Sequence, residues 1–157
     1  MLAHETISPS ISDIRVSSYS TTVPLFWRKG AVGVSFKLYN ILSLAFINVH
    51  LAAHQNESST RDQEIETIFK NLQLGNLNFD CSNQFDHCFF FGDMNYRIDM
   101  NPTEALELIN KSQWATLYQN DQLRVTQANE TALVEYVEGK LNFAPTFKIQ
   151  RGTRLNF

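Results

Sequence analysis

Hydrophobic and polar residues alternate through the first third of the chain, which is typical of β-strands. Ile11 to Ser18 alternates loosely and predicts an edge strand. Two β-rich apolar runs follow, Ala31 to Tyr39 and Ile41 to His50, and they predict a hairpin joined at Asn40. The second run is the more apolar, so we expect it to lie nearer the centre of the sheet.

After His50 the pattern changes to the period of an amphipathic helix. Its apolar stripe consists of Ile65, Ile68, Phe69 and Leu72. Thr60 with Gln63 predicts a capping-box start, and Gly75 predicts a left-handed stop after Leu74. We expect the opposite face to be solvated. This face carries Arg61, Glu64, Lys70 and their neighbours.

The last third of the chain predicts further helices. Asn101-Pro102-Thr103-Glu104 has the composition of a helix start, with Leu106 and Ile109 facing the core. A second stripe consists of Trp114, Leu117 and Tyr118, and a third helical segment covers Asp121 to Ala128. Strands first and helices mixed among them favour a layered α/β domain.

Composition narrows the class of protein. The chain has 157 residues, 43% of them hydrophobic and 18% charged, which fits one folded domain (1–157) and excludes a disordered chain. A net charge of −3 gives no basic footprint for nucleic acid. Cys81 and Cys88 show no zinc spacing, and we expect both to be reduced thiols in a cytoplasmic protein.

An apolar run that leads into a polar turn is the first candidate for chemistry. Cys88 to Phe91 predicts a buried strand, and Gly92 allows the backbone to turn where a side chain would clash. Asp93 and Asn95 then follow the strand, where ligands of open α/β sheets gather. Gly, Asp and Asn are also the commonest turn residues, so this stretch alone leaves a simple turn and a functional site open.

Two other stretches place reactive side chains at element ends. Asn48 and His50 lie at the end of the central strand, on the same face. A lone histidine there is more often a hydrogen-bonded surface residue. Lys148 follows a turn that contains Pro145, and a lone lysine in that position is usually just solvated.

Together, these stretches resemble the inositol polyphosphate 5-phosphatases. Phe91 to Arg97, Phe-Gly-Asp-Met-Asn-Tyr-Arg, is similar to that family's Gly-Asp-x-Asn-[Phe/Tyr]-Arg signature, and Asn48 to His54 is similar to its Asn-Ser-His-Leu-Ala-Ala-His element. The resemblance spans residues 29 to 148. Similar shorter segments are Lys29-Gly30-Ala31-Val32, Arg61-Asp62-Gln63, Asp121-Gln122-Leu123, Glu138-Gly139 and Pro145-Thr146-Phe147-Lys148.

The resemblance implies a fold, a reaction and partners. The fold would be α/β (α+β), a four-layer α/β/β/α sandwich of the endonuclease/exonuclease/phosphatase type, incomplete in this chain. The reaction would be Mg²⁺-dependent hydrolysis of the 5-phosphate of phosphatidylinositol 4,5-bisphosphate or related inositol polyphosphates. The implied partners are a phosphoinositide headgroup or soluble inositol phosphate and a peripheral membrane surface, with no nucleic acid.

The resemblance also implies roles for single residues. Asp93 would orient and deprotonate the attacking water, helped by Asn95, which is also a candidate metal ligand. His50 would hydrogen-bond the phosphate as charge builds on it. Lys148 would bind the neighbouring 4-phosphate as a point charge. The implied substrate-binding residues are Lys29, Asn48, Arg97 and Lys148.

Departures from the family pattern lead to a narrower expectation for this chain. Arg28 and Asp62 stand where the family has Asn, and Phe147 stands where it has Tyr. Neither the upstream metal-binding glutamate nor the later Pro-x-Trp-x-Asp-Arg and Ser-Asp-His segments is found; Glu5 has no matching context. We therefore expect a truncated form with little activity alone.

Two alternatives to a phosphatase are weighed against this interpretation. A non-catalytic pseudo-phosphatase could keep the scaffold to bind headgroups or protein partners, although intact His50, Asp93, Asn95 and Arg97 favour an enzyme. A nuclease of the same superfamily is disfavoured by the acidic balance of the chain.

Overall fold

The computed structural model describes residues 4–22 and 29–147. Arg28 and Lys148, both named above, lie outside the described residues. The chain divides into two compact units, Met1–Asn95 and Tyr96–Phe157. No helix among the described residues is long and apolar enough to cross a membrane.

The first unit contains one four-stranded mixed sheet. Its elements are a short 3₁₀ helix (Ser8–Ser10), β1 (Ile11–Ser20), β2 (Gly30–Leu38), β3 (Leu42–His50), α1 (Ser58–Asn71) and β4 (His87–Asp93). The spatial order is β1-β2-β3-β4, with β1/β2 and β2/β3 antiparallel and β3/β4 parallel. The edge strand, the hairpin and the interior position of its second strand are confirmed.

The core of this unit lies between one sheet face and α1. Alternate residues of β3, namely Ala45, Ile47 and Val49, are buried, and Ile65 and Ile68 of α1 are buried as well. Each large aliphatic side chain buried in this way contributes about 1.5–3 kcal/mol. The strand-to-helix-to-strand connection therefore fixes β3 beside β4, which positions the ends of both strands.

The opposite sheet face carries exposed aromatic residues. Phe46 stacks between Phe36 and Phe89, with ring centroids 5.9 and 4.8 Å apart. Phe89 is 49% exposed and Phe91 is 44% exposed. The predicted strand at Cys88 to Phe91 is thus confirmed, but its burial is wrong, because the period-2 alternation places Phe89 and Phe91 on the face away from α1.

The predicted boundaries and solvated face of α1 need correction. The helix begins at Ser58 after Glu57, whose carboxylate accepts from the Thr60 hydroxyl at 2.7 Å, so the capping box with Gln63 is wrong. The helix ends at Asn71, with Leu72 as C-cap, and the left-handed Gly75 (φ +65°) comes three residues later.

Two of the three residues assigned to the solvated face of α1 are not solvated. Arg61 is 0% exposed and Glu64 is half-buried, whereas Lys70 is exposed as predicted. Arg61 precedes Ile65 by four positions and Ile68 by seven, which places it on the apolar stripe. Because arginine is charged, the hydrophobic pattern alone did not predict that this position is buried.

The second unit contains α2 (Pro102–Asn110), α3 (Trp114–Gln119) and α4 (Gln122–Ala128). The predicted start of α2 is confirmed, because the Asn101 side chain accepts from the Thr103 N–H at 2.9 Å. Leu106 is 40% exposed, so its predicted core position is wrong. Asp121 caps α4 by accepting from the Leu123 N–H, and burial raises the pKa of its carboxyl.

Candidate functional site

The ends of β3 and β4 bring polar side chains to one edge of the sheet. In the parallel register His50 lies opposite Asp93, and Asn48 lies opposite Phe91. His50 Nε2 is 3.7 Å from Asp93 Oδ2, and the two side chains are 53% and 65% exposed. An imidazole and a carboxylate from stretches 43 residues apart in the sequence are therefore adjacent and open to solvent.

Lys29 extends this cluster from the start of β2. Gly30 pairs with His50 across the β2/β3 ladder, and the Lys29 ammonium lies 2.5 Å from His50 Nε2. An open cleft of about 370 Å³ surrounds this pair. The polar residues that line it are Ser18, Tyr19, Ser20, Lys29, Asn48 and His50. Ammonium, imidazole, amide and hydroxyl groups at one cleft can together bind a phosphate or a polyol.

The end of β4 and the turn that follows it adopt backbone conformations that only certain residue types tolerate. Gly92 has φ +124°, and a Cβ there would lie 2.2 Å from the Val49 carbonyl oxygen, so only glycine fits. Asn95 has φ +58°, a left-handed conformation that Asn tolerates better than most residues. The Asn95 N–H donates to Asp93 Oδ1 at 3.2 Å, which closes an Asx turn around the carboxylate.

Leu51 joins the two strand ends. Its N–H donates to the Asp93 carbonyl oxygen at 3.0 Å, and its own carbonyl accepts from Asn95 Nδ2, also at 3.0 Å. Leu51 is fully buried. The residue that follows His50 thus holds both Asp93 and Asn95 through main-chain atoms.

Two charged side chains of α1 contact the turn that follows β3. Arg61 Nη1 donates to the carbonyls of Ala52 (3.1 Å) and His54 (2.8 Å). Glu64 accepts from the Ala52 N–H at 2.6 Å and from the Thr21 hydroxyl at 2.7 Å. Neither residue was assigned to the site from the sequence. Two signals could have found Arg61, namely its position on the Ile65/Ile68 stripe and its place in the family-like segment Arg61-Asp62-Gln63.

Arg97 lies in the second unit, where its main chain is held at both ends. The Gln122 N–H donates to the Arg97 carbonyl at 2.9 Å, and the Arg97 N–H donates to Gln122 Oε1 at 3.1 Å. The Arg97 guanidinium carbon is 5.9 Å from the centroid of the Phe147 ring. The predicted Asp121-Gln122-Leu123 segment therefore anchors Arg97, and Phe147 packs beside its charge.

The described residues fit a divalent cation only as part of a water-rich site. Within residues 4–22 and 29–147, no group of three or more His, Cys, Asp or Glu side chains is arranged to hold a metal. Asp93 and Asn95 supply a carboxylate and an amide oxygen at one exposed turn. Mg²⁺ commonly binds through one or two carboxylates while keeping several waters and contacting substrate phosphates, so this donor set is compatible with it.

The chain matches known proteins over most of its length. The profile of the Endonuclease/Exonuclease/phosphatase family 2 matches residues 1–157. Human phosphatidylinositol 3,4,5-trisphosphate 5-phosphatase 2 is 37% identical over 148 residues, which cover 92% of this chain and 12% of the human protein. Human phosphatidylinositol 3,4,5-trisphosphate 5-phosphatase 1 is 38% identical over 132 residues, covering 80% and 11% of the two chains.

Solved structures agree with the sequence relatives. The inositol polyphosphate 5-phosphatase domain of SPsynaptojanin, solved with inositol (1,4)-bisphosphate and calcium, superposes with a TM-score of 0.81 at 30% identity and covers 95% of this chain and 43% of that domain. Cimex nitrophorin, at a TM-score of 0.70 and 19% identity, shares the fold alone.

The fold, the strand-end cluster and these matches agree on the class. The chain belongs to the Endonuclease/Exonuclease/phosphatase family 2, and the resemblance of its sequence to the inositol polyphosphate 5-phosphatases is confirmed. The predicted fold class is confirmed as well. The chain spans about an eighth of the length of the curated relatives named above and less than half of the solved domain.

Proposed function

We propose that the gene product containing this chain is a Mg²⁺-dependent phosphatase that removes the 5-phosphate of phosphatidylinositol 4,5-bisphosphate or related inositol polyphosphates. The observation that carries the proposal is the juxtaposition of His50, Asp93 and Lys29 at one strand-end edge. Hydrolysis of a phosphate monoester requires a positioned water and donors that stabilise charge on the phosphate oxygens. These three side chains supply a base and two donors.

Asp93 is the residue we assign to the attacking water. Its carboxylate is exposed, and its Oδ1 is oriented by the Asn95 N–H. A general base must lie within hydrogen-bond reach of the proton that it removes, and an exposed carboxylate at a fixed turn meets that condition for a bound water. Asn95 holds the turn in place and can direct its amide oxygen toward the same water or a cation.

His50, Lys29 and Asn48 are the residues that we assign to the phosphate. His50 and Lys29 can donate to phosphate oxygens as negative charge builds, and Asn48 lines the same cleft. Arg97 is assigned to the phosphate from its place in the sequence motif, and its guanidinium suits paired oxygens. Lys148 is assigned to the 4-phosphate on its sequence position alone.

A magnesium ion would complete the charge stabilisation. Asp93 and Asn95 would hold it together with water and substrate oxygens, and it would supply Lewis-acid stabilisation of the phosphate. The SPsynaptojanin domain was solved with calcium, which supports a divalent-cation site in this fold.

The substrate class is supported by the relatives. The curated relatives are named as phosphatidylinositol 3,4,5-trisphosphate 5-phosphatases, and the SPsynaptojanin domain holds inositol (1,4)-bisphosphate. That molecule is what remains when inositol 1,4,5-trisphosphate loses its 5-phosphate. Because the proposed substrate is a lipid headgroup, we propose that the enzyme acts at a membrane surface from the cytoplasmic side.

The test is phosphate release from short-chain phosphatidylinositol 4,5-bisphosphate by the full-length gene product, with and without Mg²⁺. Asp93→Asn should lower kcat by about 10²–10⁴-fold, the usual contribution of a general base. Asp13→Asn is the matched control, because Asp13 is an exposed carboxylate on β1 that pairs with Lys37. An unchanged kcat in Asp93→Asn would exclude Asp93 as the base. Binding of the headgroup by the wild-type protein without any turnover would favour the non-catalytic pseudo-phosphatase.

A further inference from the structure

A chain of hydrogen bonds connects the two sides of the site through one helix. On one side, the Thr21 N–H donates to the Lys29 carbonyl at 3.0 Å, so the end of β1 holds the residue that contacts His50. On the other side, Leu51 binds the Asp93 carbonyl and the Asn95 amide. Thr21 and Leu51 are distant in the sequence, and helix α1 connects the two segments that contain them.

Glu64 of α1 is that joining residue. One carboxylate oxygen accepts from the Thr21 hydroxyl at 2.7 Å, and the other accepts from the Ala52 N–H at 2.6 Å. Each oxygen therefore serves a different loop of the site. Hydrogen bonds to a carboxylate are about twice as strong as neutral ones, so a single side chain can fix both loops.

Arg61 holds the same turn from the carbonyl side. It donates to Ala52 and His54, and His54 has a left-handed backbone (φ +79°). A non-glycine residue in that conformation is maintained only where its surroundings hold it there. Because Arg61 is fully buried, the donor side of these two contacts is shielded from water, which strengthens them.

We propose that the buried Arg61 and the half-buried Glu64 form a clamp that positions the catalytic turn. The clamp fixes Ala52 by both its N–H and its carbonyl, and Ala52 follows Leu51, which holds Asp93 and Asn95. Glu64 also sets Lys29 through Thr21. Arg61 and Glu64 are thus positioning residues rather than catalytic ones, and their effect on turnover rests on the function proposed above.

The test compares substitutions on the two faces of α1 in the full-length gene product. Glu64→Ala removes both acceptors and should lower kcat by about 10²-fold, since small displacements of reacting groups cost rates of that order. Glu64→Gln keeps one carbonyl oxygen and should recover part of the loss. KM should change less than kcat, because the clamp touches no substrate itself and reaches the substrate-binding Lys29 only through Thr21. Glu66→Ala, on the exposed face, is the matched control.

Hydrogen–deuterium exchange supplies a readout that is independent of activity. In Glu64→Ala and Arg61→Lys, exchange should rise in peptides covering residues 48–55 and 92–95 and stay unchanged in the middle of β1 and β2. In Glu64→Ala alone it should also rise at Thr21, whose hydroxyl Glu64 holds. Unchanged exchange at those peptides, or a uniform rise across the unit with kcat falling only with the folded fraction, would overturn the clamp. If the wild-type protein shows no 5-phosphatase turnover, the proposed function fails, and the exchange pattern still decides whether the clamp exists.

Discussion

His50 and Asp93 face each other from neighbouring parallel strands, with Nε2 and Oδ2 separated by 3.7 Å. The pairing depends on the β3–α1–β4 connection, which sets the register in which position 50 meets position 93. A shift of one residue would move one of the two side chains to the face covered by α1. The chemistry of the site is therefore a consequence of strand register.

Replacing His50 tests its role at the phosphate. We expect His50→Asn to lower kcat by about 10²–10³-fold, because a donor to the developing negative charge is removed. His54→Asn is the matched control, since His54 is exposed and its left-handed backbone tolerates Asn. We measure kcat by phosphate release under saturating substrate. An equal loss of kcat in the two variants would contradict the assignment of His50 to the phosphate.

Asn95 combines a conformational role with a chemical role, and two substitutions separate them. Asn95→Gly accepts φ +58° without strain but loses the amide that donates to the Leu51 carbonyl. We therefore expect a low kcat and a loss of stability relative to the wild-type protein of about 1 kcal/mol, the value of that hydrogen bond. Asn95→Ala should be less stable than Asn95→Gly by about 1–2 kcal/mol, because Cβ disfavours the left-handed region. Denaturant unfolding together with turnover measures both. Wild-type kcat in Asn95→Gly would contradict the chemical role.

Phe147 stands where the resemblance to the 5-phosphatases implies a Tyr whose hydroxyl binds the 4-phosphate, and restoring that hydroxyl tests the 4-phosphate assignment. Phe147→Tyr should strengthen binding of substrates that carry a 4-phosphate, by about 1–3 kcal/mol for a hydrogen bond to a charged group. The ring beside Arg97 is retained in this variant. Phe143→Tyr, which adds a hydroxyl to another exposed Phe, is the control. Tighter binding of a substrate without the 4-phosphate would contradict the assignment.

Asp121 predicts a pH dependence of stability in the second unit. Burial, with Glu138 nearby, raises the pKa of its carboxyl above that of the unfolded chain. The stabilising contribution of Asp121 is therefore fully present below the unfolded pKa of about 3.8 and is lost as pH rises through the folded pKa. At pH 7 the partly buried Asp121 carboxylate is ionised, which lowers the free energy of unfolding.

Asp121→Asn removes that charge while keeping an oxygen for the α4 cap. We expect its free energy of unfolding to exceed that of the wild-type protein at neutral pH, with the difference shrinking as the solution is acidified. Asp13→Asn should show the opposite trend, because the hydrogen bond and charge of Lys37 lower the pKa of Asp13. Denaturant titrations across pH measure both, and a pH-independent difference for Asp121→Asn would refute the prediction.

Local patterns in the sequence were sufficient for much of the fold. Alternation and apolar runs predicted β1, β2 and β3, and Asn101 predicted the start of α2. These patterns gave the wrong burial where a charged residue is buried or an apolar residue is exposed. Arg61 is buried because its guanidinium binds two carbonyls, and Phe89 is exposed because it alternates onto the sheet face away from α1.

The sequence motifs predicted which residues form the candidate site, but not the hydrogen bonds that hold them in place. Strand ends and glycine placement marked His50 and Asp93 as candidates, and the resemblance to the 5-phosphatases implied their roles. The contact of Glu64 with Thr21, however, joins residues 43 positions apart through a helix whose polar face looked solvated. Such long-range hydrogen bonds depend on how the helix packs on the sheet, which no local sequence pattern encodes.

The most direct measurement of the central claim is the identity of the product. The full-length gene product should convert inositol 1,4,5-trisphosphate, with Mg²⁺ present, to inositol 1,4-bisphosphate and phosphate. Asp93→Asn should slow that conversion by about 10²–10⁴-fold while Asp13→Asn leaves it unchanged. Loss of a phosphate from another ring position, or conversion at the wild-type rate in Asp93→Asn, would contradict the account.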